Sequence, residues 1–489
     1  MSRFLPATLL LPLLLAACGQ NREGALAVAV IGEASAFRET GARLSAPAQL
    51  LRAATHEGLV GFDEKGRVVP ALADRWIVTD NGRSYIFRLR DGTWADGTRI
   101  SAETTAAVLR KAIAALKGTA LGLDLAAIDE VRVMANRVIE IDLAAPVPDL
   151  LTLLAQPELS LAYRGKGTGP MALSRPRDSA ASYLELIPPE ARGLPSQPDF
   201  ATRSRPVALS LVPAARAVAM FDAGDVDVLT GGKVDTVPLA GRIGLTRGNV
   251  VLDPVTGLFG LMVTNTQGFL GAAANREALA MAIDRDALLA SFNIGGWQPT
   301  TRIVSSQTED DLGTIGERWQ GMTMEERQAQ AASRVAAWKA AGQPLPTFNL
   351  AMPDGAGSTL VFDAVRRDLA RIGIAVRRVP ENDRADLRLV DAAARYARAT
   401  WFLNQLSCTV QKAVCSPAGD ERVAEARRAT DPAARAALLA EAEAEITAAN
   451  GFIPLARPLR WSMVRSATTG FAPNPWGWHP LPPMAWLPR

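Results

Sequence analysis

Apolar and polar residues follow one another along the chain in patterns typical of both strands and helices. An apolar run over Ala25–Ile31 indicates a buried strand, and Leu50–Leu59 has the apolar spacing of a helix. A β-rich block follows, in which short stretches are separated by Asn-Gly and Asp-Gly turn signals. These stretches are Arg67–Val69, Trp76–Thr79, Ser84–Leu89, Val131–Met134 and Val138–Leu143.

A helix is predicted within this block. Ser101 stands where an N-cap is expected, Glu103 falls in the first turn, and Ala106–Leu116 carries apolar residues at helical intervals. Farther along, helix-like and strand-like segments alternate, which predicts an α/β unit. They are the helices Ala278–Phe292, Met324–Ala341 and Leu360–Ile372 and the strands Thr347–Ala351 and Ile374–Val379.

The N-terminus has the pattern of a secretory signal. Arg3 is the only charge before the apolar run Phe4–Ala17, which is too short to span a bilayer comfortably and ends in small residues. The sequence Leu-Ala-Ala-Cys-Gly around Cys18 resembles the lipobox of bacterial lipoproteins, in which the cysteine is lipidated. We therefore predict a signal peptide over 1–17 and a lipidated tether over 18–23. The alternative is an ordinary signal that happens to contain a cysteine.

Composition excludes several classes of protein. The 489 residues predict two or three globular units, and 53 Lys+Arg against 50 Asp+Glu leave a charge of only +3 with no basic stripe for nucleic acid. Two histidines and three cysteines leave little for a metal site, and the sequence contains no recognisable catalytic set. We expect no cofactor, no metal and no enzyme activity.

The other two cysteines form an isolated pair in a chain predicted to be exported. Thiols in an oxidising compartment tend to pair, so we predict a disulfide between Cys408 and Cys415. The alternative is two separately buried thiols. Either arrangement is structural.

Several short motifs occur in an order that resembles one protein family. They include His56–Leu59, Val69–Ala73, Tyr85–Gly92, Asp96–Thr98, Gly167–Pro170, Phe221–Val228, Asn275–Leu279, Leu369–Val376 and Ile453–Leu455. The series resembles the extracytoplasmic solute-binding proteins of the oligopeptide, dipeptide and nickel type, which serve ABC importers. The resemblance covers essentially the whole chain after the signal.

The resemblance implies an α/β, two-lobed periplasmic-binding-protein fold, type II-like, with an extra β-rich domain inserted in the first lobe. A ligand is expected in the cleft between the lobes. The expected division is a first-lobe core over 24–57, 161–263 and 457–489, the inserted domain over 58–160, and the second lobe over 264–456.

One segment departs from the family pattern. Arg395–Asn404 resembles a stretch that, in oligopeptide binders, begins with an aspartate-tyrosine pair and ends in Phe-Leu-Asn. In those relatives the aspartate pairs with the ammonium group of the peptide. Arg395 takes its place here and would repel an ammonium while attracting a carboxylate or phosphate. Two alternatives stay open: Asp391 supplies the carboxylate, or Arg395 points to solvent.

Aromatic residues are the other expected ligand contacts. Trp401 and Trp297 offer flat apolar walls, and Phe259 is added as a third apolar contact. Together with Arg395 they complete the predicted ligand-binding set.

The leading functional hypothesis is a lipid-anchored periplasmic protein that captures a small solute, peptide-like or other, and delivers it to an ABC transporter. Its expected partners are the ligand, the permease and ATPase of the importer, and the membrane through the N-terminal lipid, with no nucleic acid. The protein is expected to be a monomer. The alternative is a non-transport envelope lipoprotein, a sensor or interaction module with an altered cleft on the same scaffold.

Overall fold

Strands make up three main sheets and one hairpin. A computed structural model describes residues 24–176, 181–241, 248–345, 347–411 and 413–488. Its strands, in chain order, are β1 Leu26–Ile31, β2 Val60–Phe62, β3 Val68–Pro70, β4 Ala73–Thr79, β5 Ser84–Leu89, β6 Ile128–Ala135, β7 Val138–Leu143, β8 Met171–Ser174, β9 Ser182–Leu186, β10 Val207–Val212, β11 Val228–Gly232, β12 Val250–Asp253, β13 Gly257–Val263, β14 Thr347–Met352, β15 Ala375–Pro380, β16 Leu387–Ala393, β17 Phe452–Ala456 and β18 Arg460–Val464.

The α-helices range from single turns to five turns. In chain order they are α1 Ala46–Thr55, α2 Ala102–Ala115, α3 Ala120–Asp124, α4 Leu150–Leu154, α5 Phe200–Arg203, α6 Ala214–Asp222, α7 Val237–Gly241, α8 Ala273–Ala282, α9 Arg285–Ala290, α10 Met324–Ala340, α11 Ala356–Arg371, α12 Ala399–Gln405, α13 Pro417–Arg428, α14 Pro432–Ala449 and α15 Leu481–Met484. Within the described ranges, none of these helices has the length and apolarity needed to cross a membrane.

The first sheet has seven strands in the order β12-β18-β11-β1-β10-β9-β8. Its central strand β1 pairs in parallel with β10 and β11, and apolar side chains cover both of its faces. A strand buried on both faces reads as a continuous apolar run, which is why Ala25–Ile31 was recognisable in the sequence. The sheet gathers strands from three separate stretches of chain, so the first lobe is discontinuous.

The second sheet has five strands in the order β15-β14-β16-β13-β17. Strand β13 pairs along its whole length with β16 and also with β17. The expected first-lobe segment 161–263 therefore ends too late, because its last strand belongs to the sheet of the second lobe. The apolar residues of β13 do not indicate in the sequence which sheet the strand joins. We place the boundary between the lobes just before Gly257.

The inserted domain is an antiparallel sheet of order β4-β5-β7-β6 with the hairpin β2-β3 beside it. Helix α2 packs against it, and Ser101 caps this helix as predicted by accepting a hydrogen bond from the Thr104 N–H. Strand β5 alternates buried Tyr85, Phe87 and Leu89 with half-buried residues, as a one-sided sheet requires.

Two predicted helices differ from the structure. The helix predicted over Ala278–Phe292 is two helices, α8 and α9, because Asp284 leaves the helical conformation and caps α9 through the Ala287 N–H. The helix predicted over Leu50–Leu59 starts four residues earlier, since Ser45 is its N-cap and Pro47 lies in its first turn, and it ends at Thr55.

The inserted domain and the second lobe share one apolar core. Residues of the inserted sheet and α2 belong to the same buried cluster as residues of α12, α13 and α14. The two lobes are thus in contact across the cleft, and spaces remain between them.

Candidate functional site

The main cavity lies between the lobes and has a volume of about 690 Å³. All parts of the molecule line it: the first lobe, the inserted domain, the end of strand β16, helix α12 and the C-terminal tail. Its charged lining residues are Arg43, Asp124, Glu158, Lys233, Asp391, Arg395 and Arg460.

Arg395 lines this cavity but is not a free cation. Its Nη1 donates to Glu158 Oε2 at 2.6 Å and to Gln156 Oε1 at 3.2 Å. Glu158 is 5% exposed and belongs to the inserted domain, so this ion pair crosses the cleft. The alternative that Arg395 points to solvent is wrong. Its charge, however, is largely offset by Glu158, which weakens the reason for expecting it to repel an ammonium group.

Asp391 also lines the cavity and is also paired. Its Oδ1 accepts from Arg460 Nη1 at 2.6 Å and its Oδ2 from the Val234 N–H at 3.1 Å. Asp391 lies on β16 of the second lobe, whereas both donors belong to the first lobe. This carboxylate therefore joins the lobes, and Arg460 already occupies the position that a ligand cation would need.

The predicted aromatic contacts separate into two groups. Trp401 lines the main cavity, and its indole N–H is buried without a hydrogen-bond partner in the described part of the chain. Phe259 and Trp297 do not reach this cavity. They pack against each other in the core of the second lobe, and Trp297 Nε1 donates to the Arg457 carbonyl at 2.8 Å. Their expected place in the ligand wall is therefore not supported.

Asp124 is a functional candidate that the sequence analysis missed. It ends helix α3 of the inserted domain, and its Oδ1 accepts from the Tyr396 hydroxyl and from Asn404 Nδ2, both at 2.6 Å. Burial raises the pKa of Asp124 to about 7, although these hydrogen bonds and the charges of Arg427 and Arg395 act in the opposite direction. The sequence feature that could have identified Asp124 is its position as the single acidic residue in the otherwise apolar run 120–127.

Two cations of the lining form no ion pair with a described residue. Lys233, which is half-buried, and Arg43, which is exposed, form no ion pair with any residue in the described ranges. The pairs Arg395–Glu158 and Asp391–Arg460 are each neutral overall. The unpaired charges of the lining are therefore Lys233, Arg43 and the partly protonated Asp124.

Cys408 and Cys415 lie away from the lining of the main cavity. A disulfide joins Cys408 and Cys415, whose Cα atoms are 5.1 Å apart. Cys18, the predicted lipidation site, lies outside the described residues.

Comparison with protein families now identifies the scaffold. The model for bacterial extracellular solute-binding proteins, family 5, matches residues 67–177 and 205–407. The chain belongs to this family. A family-5 protein captures a solute for an ABC importer, so the match favours the importer hypothesis over the non-transport alternative.

Relatives of the family-5 protein agree with its architecture. The periplasmic oligopeptide-binding protein OppA of Escherichia coli is 23% identical over 447 residues, which cover 82% of this chain and 81% of OppA. The crystal structure of Haemophilus influenzae OppA in complex with RPPGFSPFR has a TM-score of 0.82 at 18% identity and covers 95% of this chain and 99% of that one. The two-lobed α/β fold is thereby confirmed.

A further relative matches over a shorter stretch. The probable deoxycholate-binding periplasmic protein YgiS of E. coli is 34% identical over 125 residues, or 21% of this chain and 23% of YgiS. The family and its structural neighbours are binding proteins rather than enzymes, and they are periplasmic.

Proposed function

We propose that this family-5 protein captures a small solute that carries a carboxylate, peptide-like in character, and delivers it unchanged to an ABC importer. The observation that carries the proposal is the charge of the main cavity. Its two ion pairs cancel, and Lys233 and Arg43 form no ion pair with any described residue. A cation in a partly desolvated cavity favours an anionic ligand group.

The cavity also offers neutral contacts that fit such a solute. Trp401 borders the cavity, although its indole N–H is buried away from the cavity surface. The ring gives apolar area beside it. Arg395 remains in the proposed ligand set as the cation next to Glu158, whereas Phe259 and Trp297 support the second lobe.

The ligands named for relatives are consistent with a small organic acid. One relative is named for deoxycholate, and another was crystallised with a nonapeptide, which ends in a carboxylate. We further propose a monomer that is anchored to the membrane through lipid on Cys18 and that performs no chemistry on its ligand.

Mass spectrometry of small molecules retained by the gently purified protein tests the proposal. We expect a carboxylate-bearing solute whose return to the emptied protein compacts it in solution scattering and raises its melting temperature. Lys233→Gln should weaken binding roughly tenfold, the cost of one charge-assisted hydrogen bond.

Lys339→Gln is the matched control, because Lys339 is exposed in helix α10 away from the cavity. A retained solute without an anionic group, or equal affinity in native protein and Lys233→Gln, would contradict the proposal.

A further inference from the structure

A cavity of about 480 Å³ lies between helix α1 of the first lobe and helix α2 of the inserted domain. Each helix presents one face to it, with lining residues at the spacing i, i+3, i+4 and i+7. These residues are Ala48, Leu51, Arg52 and Thr55 of α1 and Val108, Lys111, Ala112 and Ala115 of α2. Three of the eight are alanines, whose side chains are too small to fill the space between the helices.

The apolar part of this cavity borders two separate cores. Val108 and Ala112 pack against the buried cluster shared by the inserted domain and the second lobe. Phe37 and Leu173, which also line the cavity, pack against the buried cluster of the first lobe. The cavity therefore occupies a gap between two cores, and an apolar ligand group placed in it is removed from water.

Positive charge predominates in the lining. Its charged residues are three cations and two acids, namely Arg52, Lys111, Arg175, Glu39 and Glu158. Both acids are bonded to groups outside this set. Glu39 accepts hydrogen bonds from the Ser45 N–H at 2.6 Å and from the Ser45 hydroxyl at 2.7 Å. Glu158 is paired with Arg395, as described above.

Arg52 is half-buried, and its guanidinium forms no ion pair and no hydrogen bond with any residue in the described ranges. Burial lowers the pKa of Arg52, and the charge of Glu158 opposes this from beyond ion-pair distance. A cation in such surroundings is stabilised by an anion in direct contact. The cavity thus combines an apolar wall with a cation that an anionic ligand group can bind.

Two further residues of the lining agree with an anionic ligand. The Arg175 guanidinium lies 4.3 Å from the centre of the Phe37 ring and donates to the Phe37 carbonyl at 3.2 Å. Its position is thereby held, and no acid among the described residues offsets its charge. His56 is neutral at pH 7, because burial and the charge of Arg52 lower its pKa to about 4.

We propose that this cavity binds an amphipathic anion, with an apolar chain between α1 and α2 and one carboxylate or phosphate group bound by Arg52. Lys111 and Arg175 are the additional cations around this group. The site is separate from the main cavity, although Glu158 and Ala42 line both and mark where the two adjoin. Both helices lie on the same side of the cleft, so this binding does not require closure of the lobes.

Titration calorimetry with decanoate, decyl phosphate, decanol and acetate tests the inference. Decanol keeps the chain without the charge, and acetate keeps the charge without the chain. We expect decanoate or decyl phosphate to bind, and decanol and acetate to bind at least roughly tenfold more weakly than the tighter of the two anions. The tighter anion identifies the head group.

Three variants separate the charged contact from the apolar one. Arg52→Gln should weaken binding of the tighter anion roughly tenfold and leave decanol unchanged. Ala112→Trp should abolish binding of anions and decanol alike, because the indole fills the space between the helices, and its melting temperature checks that it is folded. Lys117→Gln is the matched control, since Lys117 is exposed just beyond α2 and does not line the cavity.

A decanoate that carries a photoreactive diazirine locates the site, because mass spectrometry identifies the labelled peptides. We expect labelling of α1 and α2, both in native protein and in Lys233→Gln, which alters only the main cavity.

The inference is overturned if neither anion binds, if decanol binds as tightly as the anions, or if Arg52→Gln binds them with native affinity. Labelling confined to peptides of the main cavity would also overturn it, yet would agree with the proposed function. A protein that retains no solute in the main cavity but binds decanoate between α1 and α2 would contradict the proposed function and support this inference.

Discussion

The ion pair between Arg395 and Glu158 should contribute to closure of the cleft in a measurable way. It joins residues 237 positions apart, one from each side of the cleft, at 2.6 Å. Removing one partner of a buried, hydrogen-bonded charge pair costs about 2 to 5 kcal/mol. Glu158 is buried, but the Arg395 side chain is 29% exposed, so solvent screening reduces the expected coupling to about 1 to 2 kcal/mol.

A double-mutant cycle measures this coupling. Arg395→Met, Glu158→Gln and the double variant are compared with native protein by energy transfer between dyes on the inserted domain and the second lobe, and by urea unfolding. A coupling of about 1 to 2 kcal/mol changes the ratio of closed to open molecules roughly 5-fold to 30-fold. The exposed pair Arg422–Glu425 is the control, with an expected coupling near zero. Strictly additive effects of Arg395→Met and Glu158→Gln would refute the reasoning.

Three further predictions concern the anchor, the disulfide and pH. Cys18→Ser should abolish lipidation and release the protein from membranes; unchanged membrane association would contradict the anchor. Replacing Cys408 and Cys415 by serine should lower the free energy of unfolding by about 2 kcal/mol in urea, because the bond closes a short loop; equal stability would argue against it. Because burial raises the pKa of Asp124 to about 7, folding takes up a proton. Native stability relative to Asp124→Asn should therefore be highest below about pH 4, fall as the pH rises from 4 to 7 and level off above 7; a flat difference would exclude this linkage.

Local sequence patterns predicted strands and helix ends well where a single short-range interaction determines them. The β5 and β7 stretches were placed correctly from their alternation and the turns that bound them. The Ser101 cap was predicted because a serine oxygen directly before a helix can accept a hydrogen bond from a free backbone N–H of the first turn. The break at Asp284 was missed, since the apolar spacing continues across it and only the Asp284 cap ends one helix and starts another.

The site was less predictable because its contacts join distant parts of the chain. The partner of Arg395 lies 237 residues away and the hydrogen bond between Tyr396 and Asp124 spans 272 residues. No local pattern encodes such a pairing. Aromatic residues present a related difficulty. Trp401 and Trp297 are equally apolar, and only the packing of the second lobe places one at the cavity and the other in the core.

The same contacts suggest how closure can depend on which solute is present. The ion pairs that cross the cleft stabilise the closed state whichever solute is present, so they do not distinguish one solute from another. Asp124 is different, because burial beside Tyr396 and Asn404 raises its pKa and no ion pair with a described residue stabilises its ionised form. A ligand shifts a conformational equilibrium only by its difference in affinity for the two states. Selective closure therefore requires solute contacts that exist only when the lobes are closed, and the cavity lining supplies charged residues for such contacts from both sides of the cleft.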